Sequence, residues 1–130
     1  MADRPDQFVT RAEISDATKV PHEYLLKVLS QLATASLVES RRGLNGGYRL
    51  RKPAEKITAL DVVLAVDTIP RISKCPLGIV DHEQLCPLHQ LLDDASLRVE
   101  EVFGQTNILE LIPGKRSRTC DFPRLTSVER

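Results

Sequence analysis

The sequence predicts a mainly α-helical chain with one small β-hairpin and, towards its C-terminus, a long amphipathic helix. Three observations carry that class. Two helical patterns are separated by Val20-Pro21; a Gly-rich stretch at residues 42–47 lies between two short β-prone runs; and from Pro87 onward apolar residues recur in alternating steps of four and three. A chain of 130 residues has room for one domain, or a small domain with an appended dimerisation element. A large enzyme cleft is not expected.

Residues 1–9 are polar, contain Pro5 and are expected to be poorly ordered. Thr10 then opens the first helix with a capping box, its hydroxyl accepting from the Glu13 N–H while the Glu13 carboxylate reaches back to the Thr10 N–H. That helix runs to about Thr18. Pro21 pushes Val20 out of the α region and yet suits the first turn of a following helix. In this second helix Leu25, Val28, Leu29, Leu32 and Ala33 form a single apolar stripe. The other face carries His22, Glu23, Leu26, Lys27, Ser30 and Gln31, side chains of the length and polarity that reach base edges from a major groove.

Residues 37–41 and 48–51 read as two strands. Between them Asn45-Gly46-Gly47 supplies the positive φ angles a hairpin needs, and few side chains obstruct its tip. The tip, with Asn45 and Gly46, suits a minor groove, and Arg41 and Arg42 at its base suit phosphates or a narrow groove. A helix pair and hairpin also occur in α+β domains that bind no DNA. The basic, Gly-rich hairpin directly after the helices favours the DNA reading: a winged helix-turn-helix. Such domains normally place another helix before the pair, and residues 1–9 contain none. The core around Ile14, Leu25, Leu29 and Leu32 is therefore expected to be closed by a helix upstream of this reading frame, or by a segment from elsewhere such as the other protomer.

Residues 53–56 form a linker. The next helix is marked by Leu60, Val63, Leu64 and Asp67, capped by Thr58 with Asp61, and ended by Ile69-Pro70. Residues 71–87 form an irregular loop of the kind that is usually functional or disordered. From Pro87, Leu88, Leu92, Ala95, Val99 and Val102 make a coiled-coil-like seam widened by Leu91 and Phe103, with Asp93, Asp94, Glu100 and Glu101 facing away. An exposed seam of this length is best buried against its own copy, giving an isologous homodimer; the alternative is packing back on its own domain. The expected organisation is a DNA-binding winged domain at 1–57, a connecting helix, loop and dimerisation helix at 58–112, and a flexible basic tail at 113–130.

Formal net charge is zero, which would argue against nucleic acid if charge were evenly spread. It is segregated. Arg41, Arg42, Arg49, Arg51, Lys52 and Lys56 face only Glu39 and Glu55 across residues 36–56, whereas residues 78–112 hold Asp81, Glu83, Asp93, Asp94, Glu100, Glu101 and Glu110 against Arg98. Only the first region is an electrostatic footprint for phosphates; the acidic region reads as a solvated face. No apolar run reaches transmembrane length and no signal peptide is visible, so a cytoplasmic protein with no membrane partner is expected. Three cysteines are an odd number for a disulfide framework, which leaves metal, redox-sensing or core roles.

Cys75 and Cys86 bracket the loop, His82 lies between them, and His89 follows in Cys86-Pro87-Leu88-His89. Thiolates and imidazoles are ligands for zinc, copper(I) or iron-sulfur clusters. The close Cys-x-x-Cys pair of a zinc finger is absent, and mixed Cys/His ligation of a [2Fe-2S] cluster has precedent. Spacing alone leaves open the reading of these residues as small buried cysteines and a surface histidine.

In order along the chain, Thr10-Arg11-Ala12-Glu13-Ile14, Val20-Pro21-His22-Glu23-Tyr24-Leu25, Arg42-Gly43-Leu44-Asn45-Gly46-Gly47-Tyr48, Ile57-Thr58-Ala59-Leu60-Asp61-Val62-Val63, and Cys75 with Cys86-Pro87-Leu88-His89 resemble the Rrf2 family of bacterial winged-helix transcription regulators. The family includes iron-sulfur and nitric-oxide-sensitive members. The resemblance covers about residues 8–112, and its most specific part is the R-G-x-x-G-G-[YF] wing followed by the T-x-x-[DE]-V-[IV] helix. It implies a dimer on a palindromic double-stranded DNA operator, with Pro21, His22, Glu23, Tyr24, Leu26 and Lys27 on or beside the reading surface and Arg42 as the wing arginine. It also implies an iron-sulfur cluster, [2Fe-2S] rather than [4Fe-4S], at the loop. Cys75 and Cys86 match the outer two of three family cysteines, His82 falls near the middle one, and His89 matches a histidine ligand of some members. The resulting expectation is a DNA-binding regulator, a repressor, whose loop senses iron-sulfur, redox or nitric oxide status. The alternative keeps the DNA-binding role with no cofactor, Cys75 and Cys86 being a thiol-disulfide pair or inert. A dimeric adaptor without DNA binding, and an enzyme using Cys86 with His89, are further readings; nothing resembles an oxyanion hole or substrate pocket, so no enzymatic activity is expected.

Overall fold

A computed structural model describes residues 1–2, 4–75 and 85–112 of the chain. Helices α1 (Arg11–Thr18) and α2 (His22–Thr34) are followed by strands β1 (Val38–Arg41) and β2 (Gly47–Leu50), a 3-10 turn (Ala54–Lys56), α3 (Ala59–Val66) and α4 (Pro87–Gln105). Each start has a local cause. The Thr10 capping box is formed, with the Glu13 N–H donating to the Thr10 hydroxyl at 3.2 Å and the Thr10 N–H donating to the Glu13 carboxylate at 2.8 Å. The same pair of bonds links Thr58 and Asp61 at the start of α3. Lys19 closes α1 in the left-handed conformation at φ 59° and Pro21 caps α2. Helix α3 ends at Val66, short of Ile69-Pro70, because Asp67 takes an extended conformation and its side chain accepts from the Thr68 N–H.

Strands β1 and β2 pair antiparallel, Val38 opposite Leu50 and Arg41 opposite Gly47. The expectation that residues 1–9 lack order is corrected for the last of them. Val9 is buried and exchanges both backbone hydrogen bonds with Tyr48, at 2.9 and 2.8 Å, so it extends the hairpin by one bridge. A sheet edge presents unpaired N–H and C=O groups, and Val9 satisfies those of Tyr48. Glycine at 47 permits it, since a Cβ there would stand 2.5 Å from the Val9 carbonyl oxygen.

Val9, Leu25, Leu29, Leu37, Val38, Ala54 and Ile57 form the buried core. Residues after α4 return to it: the Ala59 N–H donates to the Thr106 carbonyl at 2.8 Å and the Ile108 N–H to the Ile57 carbonyl at 2.9 Å. The segment after α4 is thereby tied to the backbone on either side of Thr58, which it also meets in a bridge from Asn107. An open cleft of about 530 Å³ remains between Ala2 and Pro5, the hairpin base at Arg49, Leu50 and Arg51, and Leu109. No helix among the described residues is long and apolar enough to cross a membrane.

Candidate nucleic-acid interface and thiol-imidazole site

The turn between α1 and α2 is pinned from inside. Ser15, buried on α1, donates its hydroxyl to the Val20 carbonyl at 2.8 Å, so the backbone entering Pro21 has a fixed direction. Sequence reasoning missed this residue; a serine on the inner side of a short helix, six residues before a proline, was the available signal. Beyond the turn His22, Glu23, Tyr24, Leu26 and Lys27 are exposed together, with Tyr24 at 62% and Leu26 at 46%. Leu25 and Leu29 on the other side are buried, so α2 faces outward as its periodicity predicts. Gln31 departs from that face: it is half-buried and its side-chain amide donates to the Val66 carbonyl of α3 at 3.4 Å.

At the hairpin the left-handed positions are Gly43 at φ 106° and Gly47 at φ 151°, not Asn45. Gly46 serves the turn itself, since its N–H donates to the Gly43 carbonyl at 2.9 Å and a Cβ would lie 2.3 Å from the Arg41 carbonyl oxygen. Arg42, Leu44 and Asn45 project as the exposed tip. Arg41 and Arg49 differ from Arg42 in having an internal partner. Their guanidinium carbons lie 5.9 and 4.6 Å from the centroid of the Phe8 ring, within cation-π range, and Arg49 also pairs with Glu39.

The loop residues meet at the start of α4. Cys86 is its N-cap and Pro87 its first residue, which sets His89 one turn along. The Cys86 sulfur lies 3.2 Å from His89 Nδ1, and the Cys75 sulfur 3.8 Å from the same nitrogen. His82 lies outside the described residues. Neighbouring sulfur and nitrogen ligands of a tetrahedral metal stand about 3.5 Å apart, so donor type and spacing here suit one. What falls short is number: among the described residues no group of three His, Cys, Asp or Glu side chains is arranged to hold a metal ion.

A neighbouring contact escaped the sequence reading. Arg71 Nε and Nη2 donate to the two carboxylate oxygens of Asp93 at 2.7 and 2.8 Å, the Ile72 N–H donates to Asp93 Oδ1 at 2.8 Å, and Arg71 Nη1 lies 3.7 Å from Glu100. The Arg71 fork, and after it the Ile72 N–H, lower the pKa of Asp93 to about 2, while Asp93 raises that of Arg71. Asp93 and Glu100 therefore do not form a purely solvated face, as their spacing had suggested. The apolar seam does face outward: Leu88, Leu91, Leu92, Val99 and Val102 are between 43% and 65% exposed.

The model of the Rrf2 family, described as an iron-dependent transcriptional regulator, matches residues 1–114. The chain is similar to a protein of Haemophilus influenzae named as an HTH-type transcriptional regulator, 33% identical over 122 residues, which are 90% of this chain and 81% of that protein. It is also similar to BadM of Rhodopseudomonas palustris, named in the same way, 32% identical over 123 residues, 92% of this chain and 78% of the relative. In fold it is similar to CymR, the global cysteine regulator of B. subtilis, with a TM-score of 0.70 and 24% identity over 85% of this chain and 82% of that one. The Haemophilus influenzae and Rhodopseudomonas palustris relatives are named as regulators of transcription rather than as enzymes.

Proposed function

We propose, on the premise that this chain belongs to the Rrf2 family of transcriptional regulators, that it is a dimeric repressor reading a palindromic operator and switched at Cys75, Cys86 and His89. The observation that carries the DNA part is the outward face of α2 beside a hairpin tip that presents Arg42. In this reading His22, Glu23, Tyr24, Leu26 and Lys27, entered from Pro21, address base edges in a major groove. Arg42 and Asn45 enter the adjacent minor groove, where Gly46 keeps the tip narrow. Arg41, drawn towards Phe8, supports the tip more than it reaches phosphate. The exposed seam of α4 supports burial against a second copy, which would set the spacing of two recognition helices to that of two half-sites.

The shared His89 nitrogen between two sulfurs supports a sensing site. Completed by further ligands, of which His82 is the candidate, Cys75, Cys86 and His89 would hold a [2Fe-2S] cluster. Bound there, the cluster would supply redox and nitric-oxide chemistry. A thiol-disulfide switch is the second reading, favoured by both sulfurs lying within 3.8 Å of one nitrogen. In either case the site acts at the N-terminus of α4, and a coupling of a few kcal/mol between site and operator is enough to switch occupancy.

Selection from a random pool of duplex DNA tests the reading directly. An inverted repeat should be enriched, and Arg42→Ala should weaken its binding about tenfold without altering the dimer; failure to enrich any sequence in any redox state would overturn DNA reading by this chain. Anaerobically purified protein should carry iron and acid-labile sulfide with a visible chromophore that Cys86→Ser removes. Protein without iron or sulfide leaves the thiol reading.

A further inference from the structure

On α4, His89, Asp93 and Glu100 recur at steps of four and seven, so they share one face, and they are half-buried where Leu88, Leu91 and Leu92 beside them are exposed. Residues 71–75 lie against that polar stripe. Arg71 forks onto both oxygens of Asp93, the Ile72 N–H adds a third donor to the same carboxylate, and Glu100 extends the acidic partner by nearly two turns. Two parallel N–H···O bonds fix direction as well as distance, which a single charge contact does not. Four residues further along, Cys75 arrives beside His89, one turn before Asp93 on the same helix.

The connection between α3 and α4 runs from Asp67 to Cys86, and Cys75 sits in its middle. In a flexible connection of that length a thiol is spread over a large volume, and its concentration near Cys86 is correspondingly low. A fixed point at Arg71 shortens the free chain before Cys75 to three residues. We propose that the Arg71–Asp93 clasp is the positioning element of the thiol-imidazole site, laying the segment that carries Cys75 along α4 so that Cys75 and the Cys86–His89 pair form one site. The proposal rests on the reading of that site as functional, and adds Arg71 and Asp93 to it as positioning residues.

The effective concentration of the two thiols measures positioning without any metal. The full chain carrying Cys120→Ser, with a chelator present, is equilibrated anaerobically in glutathione buffers; each Cys75–Cys86 disulfide formed reduces one glutathione disulfide to two glutathione molecules. Arg71→Gln and Asp93→Asn should each lower the effective concentration about tenfold with the helical circular dichroism unchanged, and the double variant should lose no more than either single one. Asp93→Asn keeps the side-chain shape and an acceptor for the Ile72 N–H, so it tests the clasp where Arg71→Gln perturbs folding. Single variants equal to the parent, or losses that add, would overturn the clasp. Operator affinity of the reduced and oxidised parent tests sensing separately: a clasp effect with no change in affinity removes sensing and leaves the clasp, and the reverse removes the clasp alone.

Discussion

The wing and α4 spend their apolar residues in opposite ways. The hairpin and its neighbours bury Val9, Leu37 and Val38 within the chain and leave a charged, Gly-rich tip outside. Helix α4 turns its polar stripe of His89, Asp93 and Glu100 inward and leaves Leu88, Leu91, Leu92, Val99 and Val102 outside. A helix with an uncovered seam leaves apolar surface outside, and contiguous exposed apolar patches on a small domain mark interfaces. The polar face of α4 is engaged as well, since Asp93 accepts from Arg71 and from the Ile72 N–H, four and three residues before Cys75.

The comparison breaks most sharply at the seam. Val102→Glu should weaken self-association at least a hundredfold in sedimentation equilibrium, the cost of burying an unpaired charge, while leaving the hairpin intact. An unchanged association constant would mean that the seam is not the dimer surface. At the wing the expected effect is smaller and is one of stability rather than assembly. Gly46→Ala should cost about 2 kcal/mol in urea denaturation, because the new methyl meets the Arg41 carbonyl oxygen at 2.3 Å and the backbone has to shift. Gly43→Ala, with open space but φ 106°, should cost about 1 kcal/mol, and equal costs at the two sites would remove the packing argument for Gly46.

The smallest effect separates the polar face of α4 from the rest. Asp93 has its pKa lowered from 3.8 to about 2 by Arg71 and the Ile72 N–H. Its contribution is therefore fully present above about pH 4 and is lost as the pH falls towards 2, the folded state then having to bind a proton that the unfolded state already carries. Amide exchange at Ile72 should accelerate relative to that at Tyr48 over this range, and Asp93→Asn should flatten the difference. Parallel pH dependence at both amides would show that Asp93 does not hold the segment at Ile72.

The parts legible in sequence are those whose partners lie within one helical turn. Thr10 with Glu13 and Thr58 with Asp61 are three residues apart, and both capping boxes form. Pro21 and the Cys86-Pro87 start of α4 act on their own backbone, so they too were readable. The apolar stripes of α2 and α4 were likewise visible, because a helix of fixed period decides which residues share a face. Cys86 and His89 could be paired by the same rule, being three residues apart.

Choice among distant partners was decided by the tertiary structure alone. Arg71 could have met any of several carboxylates in the acidic half of the chain; packing of α4 gave it Asp93, at a separation of 22 residues, with Glu100 behind. Pairing of Val9 with Tyr48, the amide of Gln31 on Val66, and the return of Ile108 to Ile57 are choices of the same kind. Local sequence sets the conformations a segment favours and the face it presents. Which of many equivalent donors and acceptors meet is set by the closure of the whole chain, because only there does the entropy of bringing distant segments together have to be overcome.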